Sequence, residues 1–337
     1  MTDKLLIALS PMAGISDWPM RTLCTEMGCN YTTTEMISAQ GFLSAPDTMN
    51  IYRFLLAVGP EEPAPAAQIF GRHEELLSRA AARLTESGRF SGIDINMGCP
   101  AQKVVTGGAG SALMKDLPLC SRIIRSVRKS TSLPLSVKMR LGWDPEHITA
   151  PELAHIAEDC GADLITIHGR TRIQQYSGHA DWEAIAMVKR TVSIPVICNG
   201  DIDSAESALL ALRKTGCDGI AVGRGALGNP FIFRQIRSAL QGQRITFPND
   251  REIIETAVRH GEMMRSWKGE HAAMLEMRKH MAWYIRGKKG AAKLRARIVT
   301  AGTLDEMYSL MQEFTRIGPD GTTAPADTTE EKGPGLF

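Results

Sequence analysis

Gly92-Ile93-Asp94-Ile95-Asn96-Met97-Gly98-Cys99-Pro100-Ala101-Gln102-Lys103-Val104-Val105-Thr106-Gly107-Gly108-Ala109-Gly110-Ser111-Ala112-Leu113-Met114 begins as a strand and ends as a glycine-rich loop. Gly92 to Asn96 alternates apolar with polar or small residues and is β-branched where it is apolar, which reads as a strand. Gly98-Cys99-Pro100 then turns the chain sharply. A cysteine at such a turn has two readings: a reactive group at the strand's end, or a small buried hydrophobe. The run Gly108-Ala109-Gly110-Ser111-Ala112-Leu113 lacks the third glycine of a dinucleotide-binding fingerprint and does not directly follow a strand.

Outward from this stretch the same unit repeats. Short apolar runs at Lys4–Leu9, Tyr31–Glu35, Pro65–Phe70, Leu133–Arg140, Leu164–His168, Pro195–Asn199 and Gly219–Val222 predict seven further strands. Helical patterns separate them, at Asp17–Met27, Glu74–Glu86, Leu119–Ser130, from Thr149, at Asp181–Thr191 and from Asp203 to Lys214. Thr149-Ala150-Pro151-Glu152 reads as a capping box. Eight strands alternating with helices over roughly 230 residues predict a (β/α)8 TIM barrel, with a doubly wound open sheet as the competing α/β architecture. From Asp250 the pattern is helix after helix, at Arg251–Trp267, Ala272–Ile285 and Thr303–Phe314, the last opened by a second capping box at Thr303-Leu304-Asp305-Glu306. The expected organisation is a barrel over 1–242, a small all-α domain over 243–317, and an acidic, Gly/Pro/Thr-rich tail over 318–337 whose composition predicts disorder.

The 337 residues carry a formal net charge of +2. Residues 1–250 balance, 251–300 carry a net of +7, and 301–337 a net of −5. A basic block on a neutral body fits a polyanionic partner or, equally simply, a solvated helical face. No apolar run is long enough to span a membrane. The seven cysteines, at 24, 29, 99, 120, 160, 198 and 217, form no CxxC pair, which argues against a disulfide framework and against a metal or iron–sulfur site. The N-terminus lacks a signal-peptide pattern, so a reducing cytoplasm is the expected compartment.

In a parallel barrel the active-site candidates are the polar residues at the strands' carboxyl ends. Taken in turn these are Pro11-Met12-Ala13, Glu35, Gln68, Asn96 with Cys99, Lys138 with Arg140, His168 with Arg170, Asn199-Gly200-Asp201, and Gly223-Arg224. Singly, Gln68 and Asn96 could merely satisfy backbone groups, and His168 could be a bonded core histidine. Lys138, at the end of an apolar strand, needs an anion or a wet cavity. Gly200 and Gly223 follow strands seven and eight, where barrels build phosphate sites, and Arg224 adds a cationic fork. A phosphate there, amides at strands three and four and a cation at strand five describe a flavin mononucleotide (FMN) site.

The motifs Ala8-Leu9-Ser10-Pro11-Met12-Ala13-Gly14, Gln68-Ile69-Phe70-Gly71, Asp94-Ile95-Asn96-Met97-Gly98-Cys99-Pro100, Val137-Lys138-Met139-Arg140-Leu141-Gly142-Trp143, His168-Gly169-Arg170-Thr171-Arg172, Asn199-Gly200-Asp201-Ile202 and Gly223-Arg224-Gly225-Ala226, in that order, closely resemble the tRNA-dihydrouridine synthases, in particular the bacterial B-type subfamily. Arg278 to Tyr284 resembles that family's C-terminal tRNA-binding domain. The resemblance implies reduction of the C5–C6 bond of uridine in tRNA, with NADPH (or NADH) reducing FMN, hydride passing to C6, and Cys99 protonating C5. It implies flavin contacts from Pro11, Met12, Ala13, Gln68, Asn96, Lys138, His168, Asn199, Gly200, Asp201, Gly223 and Arg224. It further implies RNA contacts from Lys103, Arg140, Arg170, Arg172, Arg278, Lys279, Lys288 and Lys289. A monomer, with no membrane association, is expected. Two other classes remain on this reading: a flavin barrel that reduces a free small molecule, and a non-catalytic RNA-binding protein on a barrel scaffold.

Overall fold

The computed structural model describes residues 5–46 and 50–316. The expected tail at 318–337 lies outside the described residues. The chain runs β1 (Leu6–Leu9), α1 (Trp18–Glu26), β2 (Ile37–Ser38), α2 (Ala39–Ser44), α3 (Asn50–Leu55), β3 (Ala66–Phe70), α4 (Glu74–Glu86), β4 (Gly92–Met97), α5 (Gln102–Thr106), α6 (Leu117–Ser130), β5 (Leu135–Arg140), α7 (Ala150–Asp159), β6 (Leu164–His168), α8 (Trp182–Lys189), β7 (Val196–Asn199), α9 (Ala205–Thr215), β8 (Gly219–Val222) and α10 (Ile232–Leu240). The strands form one all-parallel sheet in the order β1-β8-β7-β6-β5-β4-β3-β2. It closes where the Leu9 N–H donates to the Tyr31 carbonyl (3.0 Å) and the Thr34 N–H to that of Ala66 (2.8 Å). The sequence places strand two at Tyr31–Glu35. That segment makes only the single closing bridges to Ala8 and Ala66, and regular pairing is shifted to Ile37–Ser38. The architecture is the eightfold α/β barrel that the sequence predicts.

Side chains alternate across each strand, and here the alternation divides two environments. Ile93, Ile95 and Met97, Leu135, Val137 and Met139, Ile165 and Ile167, Val196 and Cys198, and Ile220 and Val222 join the core shared with the helices. α4 meets that core through Leu77, Ala80, Ala81 and Leu84, the spacing of one helical face. The alternate positions point into the barrel. Its floor is a small apolar cluster of Ala8, Leu164, Ile197 and Ala221, with Leu6 and Tyr31 against it. Above the floor the inward residues turn polar: Asp94 and Asn96, Ser136, Lys138 and Arg140, Thr166 and His168, and Asn199.

The ends of some helices differ from the sequence reading. Thr149 precedes α7 without capping it, because its hydroxyl donates to the Met114 carbonyl instead. Asp203 is not the cap of α9; Ser204 is, in a reciprocal capping box with Ser207. At Thr303 half the box forms. The hydroxyl accepts from the Glu306 N–H, while the Glu306 carboxylate turns to the Gly302 N–H.

The chain divides into two compact units at Phe247/Pro248. The second unit holds α11 (Asp250–Lys268), α12 (Glu270–Tyr284), α13 (Ala291–Ile298) and α14 (Leu304–Arg316). α13, which the sequence reading passes over, is short and follows Gly290 in the left-handed region. Met264, Met274, Met277, Met281, Met307 and Met311 make this interior unusually rich in flexible thioethers. No described helix is long and apolar enough to cross a membrane.

His260 and His280 are fully buried in this unit, their rings 4.6 Å apart. Burial, helped by neighbouring Lys279 and Lys268, pushes His260 down to about 3; burial and the His260 ring hold His280 far below its usual range. Both are neutral when folded and take up protons near pH 6.5 when unfolded. Their contribution is therefore complete above pH 6.5 and is lost as pH falls below it. The two together give a slope of about 2.7 kcal/mol per pH unit. Urea unfolding of the helical unit between pH 7.5 and 5 should show this decline, and His280→Gln should flatten it by about half.

Candidate active site

The sheet register brings the inward residues of β3 to β8 side by side. Gln68 pairs with Asp94, Asn96 with Lys138, Arg140 with His168, and His168 with Asn199. Asn96, one residue before the end of β4, ties down the turn after it. Its Oδ1 accepts from the N–H groups of Gly98 (3.1 Å) and Cys99 (2.9 Å). The Cys99 carbonyl in turn accepts from the N–H and hydroxyl of Ser111, part of the glycine-rich stretch. That stretch is therefore a buttress for the cysteine turn. At Gly110 a Cβ would lie 2.8 Å from the Cys99 carbonyl oxygen and 3.1 Å from its Cβ, so glycine is what allows the close approach.

Cys99 is half-buried, whereas Cys24, Cys29, Cys120, Cys160, Cys198 and Cys217 are buried. Burial holds its thiol above the ordinary value, outweighing the Ala101 backbone and the cations Arg140 and Lys138. It is a protonated thiol at neutral pH, not a thiolate nucleophile.

Lys138 donates to Asn199 Oδ1 (3.1 Å), and the Asn199 amide donates onward to Ser10 Oγ (3.0 Å) and the Ala221 carbonyl (2.8 Å). This line crosses the barrel from β5 to β1. Burial lowers the ammonium to about 8, with Arg140 adding to the effect and Asp94 and Cys99 opposing it. His168 is pushed far down by burial and then by Lys138, Arg140, Arg170 and Arg224, so its ring is neutral.

Beyond β7 and β8 lies the glycine end of the site. Gly200 has φ +118°, and a Cβ there would lie 2.7 Å from Ala180 Cβ and 3.0 Å from His168 Cδ2. Asp201 follows at φ +54°. Its carboxylate accepts from Arg170 (2.8 Å), the Ala180 N–H (2.7 Å) and, more loosely, the exposed Arg224 (3.4 Å). Burial alone would raise this carboxyl, but those donors hold it below its usual range. Gly223 differs from Gly200: a Cβ there would meet nothing nearer than Ser10 Cβ (3.8 Å) and Met12 Sδ (3.9 Å). Pro11, Met12 and Ala13 lie at the same end, half-buried or exposed.

Two of the arginines read as RNA contacts, Arg140 and Arg170, are buried in this structure. Arg140 donates to the carbonyls of Gly98, Thr171 and Gln175, and Arg170 to those of Ser177 and Gly178 as well as to Asp201. Their guanidiniums are buried and brace the loops over the barrel. Arg172 is half-buried, bonded to Gln102 (2.9 Å) and packed over the Trp143 ring. Lys103 is exposed on α5. In the helical unit Arg278 is half-buried and bonds the Ala301 carbonyl, Lys288 pairs with Asp250, Lys279 is half-buried and Lys289 is exposed. The sequence reading missed Tyr176, an exposed aromatic with Arg140 and Arg224 over its ring and His168 beside it. It also missed Trp143 as a site element, which carries Lys115 as well as Arg172 on its ring. The available signal was a lone aromatic in each of the loops after β5 and β6.

Comparison with known proteins places the chain within a family. The family model described as "Dihydrouridine synthase (Dus)" matches residues 7–316. The chain is 37% identical over 311 residues to "tRNA-dihydrouridine synthase B" of Xanthomonas axonopodis pv. citri, covering 91% of this chain and 92% of that protein. It is 38% identical over 315 residues to the protein of the same name from Shewanella oneidensis, covering 93% and 96%. It is 39% identical over 285 residues to the "Probable tRNA-dihydrouridine synthase" of Rhizobium leguminosarum bv. phaseoli, covering 85% and 86%. Among solved structures, 6-hydroxypseudooxynicotine amine oxidase from Pseudomonas geniculata N1 superposes with a TM-score of 0.52 over 70% of this chain and 47% of that one. At 14% identity this likeness speaks to the fold alone.

The Gly200 geometry has a measurable consequence. Gly200→Ala combines a left-handed φ with a clash against two side chains, and should cost about 2–3 kcal/mol in urea unfolding.

Proposed function

The chain belongs to the dihydrouridine synthase family, and on that footing we propose that it reduces the C5–C6 double bond of uridine in tRNA to 5,6-dihydrouridine. The observation that carries this reading is Cys99. It alone of the seven thiols is not buried, it keeps its proton at neutral pH, and its turn is fastened to the barrel rim through Asn96. That is what a general acid for a carbon atom requires: a proton held within about 3 Å of its acceptor by a fixed backbone. Cys99 gives its proton to C5.

The rim residues fit FMN. The space before Gly223 is open and the Arg224 fork is exposed beside it, as a phosphate requires. Lys138 places a half-buried ammonium near the Gln68 and Asn96 amides, a cation and neutral hydrogen-bonding groups for a ring system that becomes anionic on reduction. Pro11, Met12, Ala13, His168, Asn199, Gly200 and Asp201 complete this set; Asp201 supports it indirectly, by holding Arg170 and Arg224. When bound, FMN reduced by NADPH supplies the hydride for C6. The nucleotide must leave its stack to reach a barrel rim, and a basic surface offsets that cost through backbone phosphates. On the barrel the cations we assign to such contacts are Lys103 and the half-buried Arg172; on the helical unit, taken by itself, they are the exposed Lys289, Lys293 and Arg295. The cytoplasm is the compartment we assign to a reaction that joins a tRNA substrate to a nicotinamide reductant.

Mass spectrometry of unmodified tRNA incubated with the protein, FMN and NADPH tests the reading. A gain of about 2 Da on a mapped uridine is expected, since one hydride and one proton add across the bond. NADPH consumption without that gain would point to a free small-molecule acceptor. Cys99→Ala should lower dihydrouridine formation by about 10²-fold or more while tRNA affinity holds. Lys289→Glu, Lys293→Glu and Arg295→Glu together should weaken tRNA binding and reduce its salt slope by roughly 2–3.

A further inference from the structure

Asp94 lies inside the barrel, 3% exposed, two residues before Asn96 on the same inward face of β4. Two lines of hydrogen bonds converge on it. On one side the Gly98 and Cys99 N–H groups donate to Asn96 Oδ1, Asn96 Nδ2 donates to Gln68 Oε1 (2.9 Å), and Gln68 Nε2 donates to Asp94 Oδ2 (2.7 Å). On the other side Ser136 Oγ donates to Asp94 Oδ1 (2.5 Å), leaving its own oxygen to accept from the Tyr31 hydroxyl (3.3 Å). Every bond in both lines points toward Asp94.

That common direction has one cause. A carboxylate only accepts, whereas a primary amide is donor at one end and acceptor at the other, and a hydroxyl serves as either. With Asp94 as terminal acceptor, Gln68 must turn its nitrogen downward and its oxygen toward Asn96. Asn96 must then turn its nitrogen toward Gln68, which leaves its oxygen for the two N–H groups of the cysteine turn. Reversing either amide would set nitrogen against N–H in a buried space, leaving polar groups unsatisfied at about 1–3 kcal/mol each.

We propose that Asp94 is a positioning residue for the reaction: acting through Gln68 and Asn96, it fixes the amide orientation that holds the Cys99 turn, and so the Cys99 thiol, at the barrel rim. The assignment rests on the reading of Cys99 as the proton donor, but its test needs neither flavin chemistry nor RNA. The six buried cysteines provide the internal control, because alkylation of the folded chain is directed to Cys99.

The full-length protein as purified is treated with iodoacetamide at pH 8, and modification of each cysteine is timed by peptide mass. Asp94→Leu keeps the number and branching of the side-chain heavy atoms and removes the acceptor. It should raise the Cys99 rate by about fivefold or more, because a released turn exposes the thiol and lets it ionise more readily. The other six cysteines should stay protected. Asp94→Asn retains one acceptor oxygen for Gln68 while the Ser136 hydroxyl reverses its role, so it should stay within about twofold of wild type, as should Ser136→Ala. A Cys99 rate in D94L within about twofold of wild type, with the other thiols protected, would overturn the proposal. A D94N rate as high as that of D94L would overturn it too, since orientation would then not be the cause. If D94L exposes all seven thiols it has unfolded, and Gln68→Leu, which cuts the same line one bond higher, decides: a rise confined to Cys99 supports the proposal and a wild-type rate ends it. Absence of dihydrouridine from wild-type reactions would strike the functional reading and leave these rates meaningful.

Discussion

Burying a polar group without a partner costs more than most single contacts contribute, and the inside of this barrel is organised by that constraint. Its floor avoids the problem with alanine, leucine and isoleucine side chains. Above the floor nearly every inward residue is polar, and the hydrogen bonds form continuous lines instead of isolated pairs. Two lines drain into the Asp94 carboxylate. Another runs from Lys138 through Asn199 to Ser10 and the Ala221 carbonyl. The inward side chains are thus fixed in direction as well as place, and the rim residues inherit that order.

The charges at the rim follow the same logic. Four cations, Lys138, Arg140, Arg170 and Arg224, add to the lowering that burial causes at His168, and such a group would repel itself apart if each charge were left unsupported. Arg140 and Arg170 are held by loop carbonyls, which carry partial negative charge at no cost in net charge. Asp201 supplies a full countercharge to Arg170 and reaches Arg224. What is left outward-facing and positive is Arg224, beside the open face of Gly223, with Lys138 half-buried below. A surplus of positive charge that the protein itself does not cancel suits an anionic ligand.

Much of this was legible in the chain. The eight β-branched runs, the amphipathic α4 and the helix-only stretch after Asp250 show their periodicity locally, and the rim residues could be named by taking the last polar position of each strand. Strand two pairs later than the sequence predicts, at Ile37–Ser38, because the closing contacts to Ala8 and Ala66 are single bridges, which leave no alternation to read. The caps at Thr149 and Asp203 were misread because a hydroxyl or carboxylate chooses among partners that only the fold brings near: Thr149 found Met114, 35 residues away. Arg140, Arg170 and Arg172 look alike in sequence, yet two are interior clamps and one leans on Trp143 toward the surface.

The sequence by itself determined the barrel, the helical unit that follows it, and which residues stand at the rim, because these depend on patterns a few residues long: period two in strands, period near four in helices, a turn residue at each end. Only the tertiary structure decided what each rim residue does. Whether Cys99 is the one thiol of seven that is not buried, whether an arginine faces solvent or a carbonyl, and which way the Gln68 and Asn96 amides point are set by neighbours from other strands. Asp94 meets Ser136 and Gln68 across two separate strand pairings, and Tyr31 reaches Ser136 from 105 residues away. No local pattern encodes those meetings; closing the sheet into a barrel creates them.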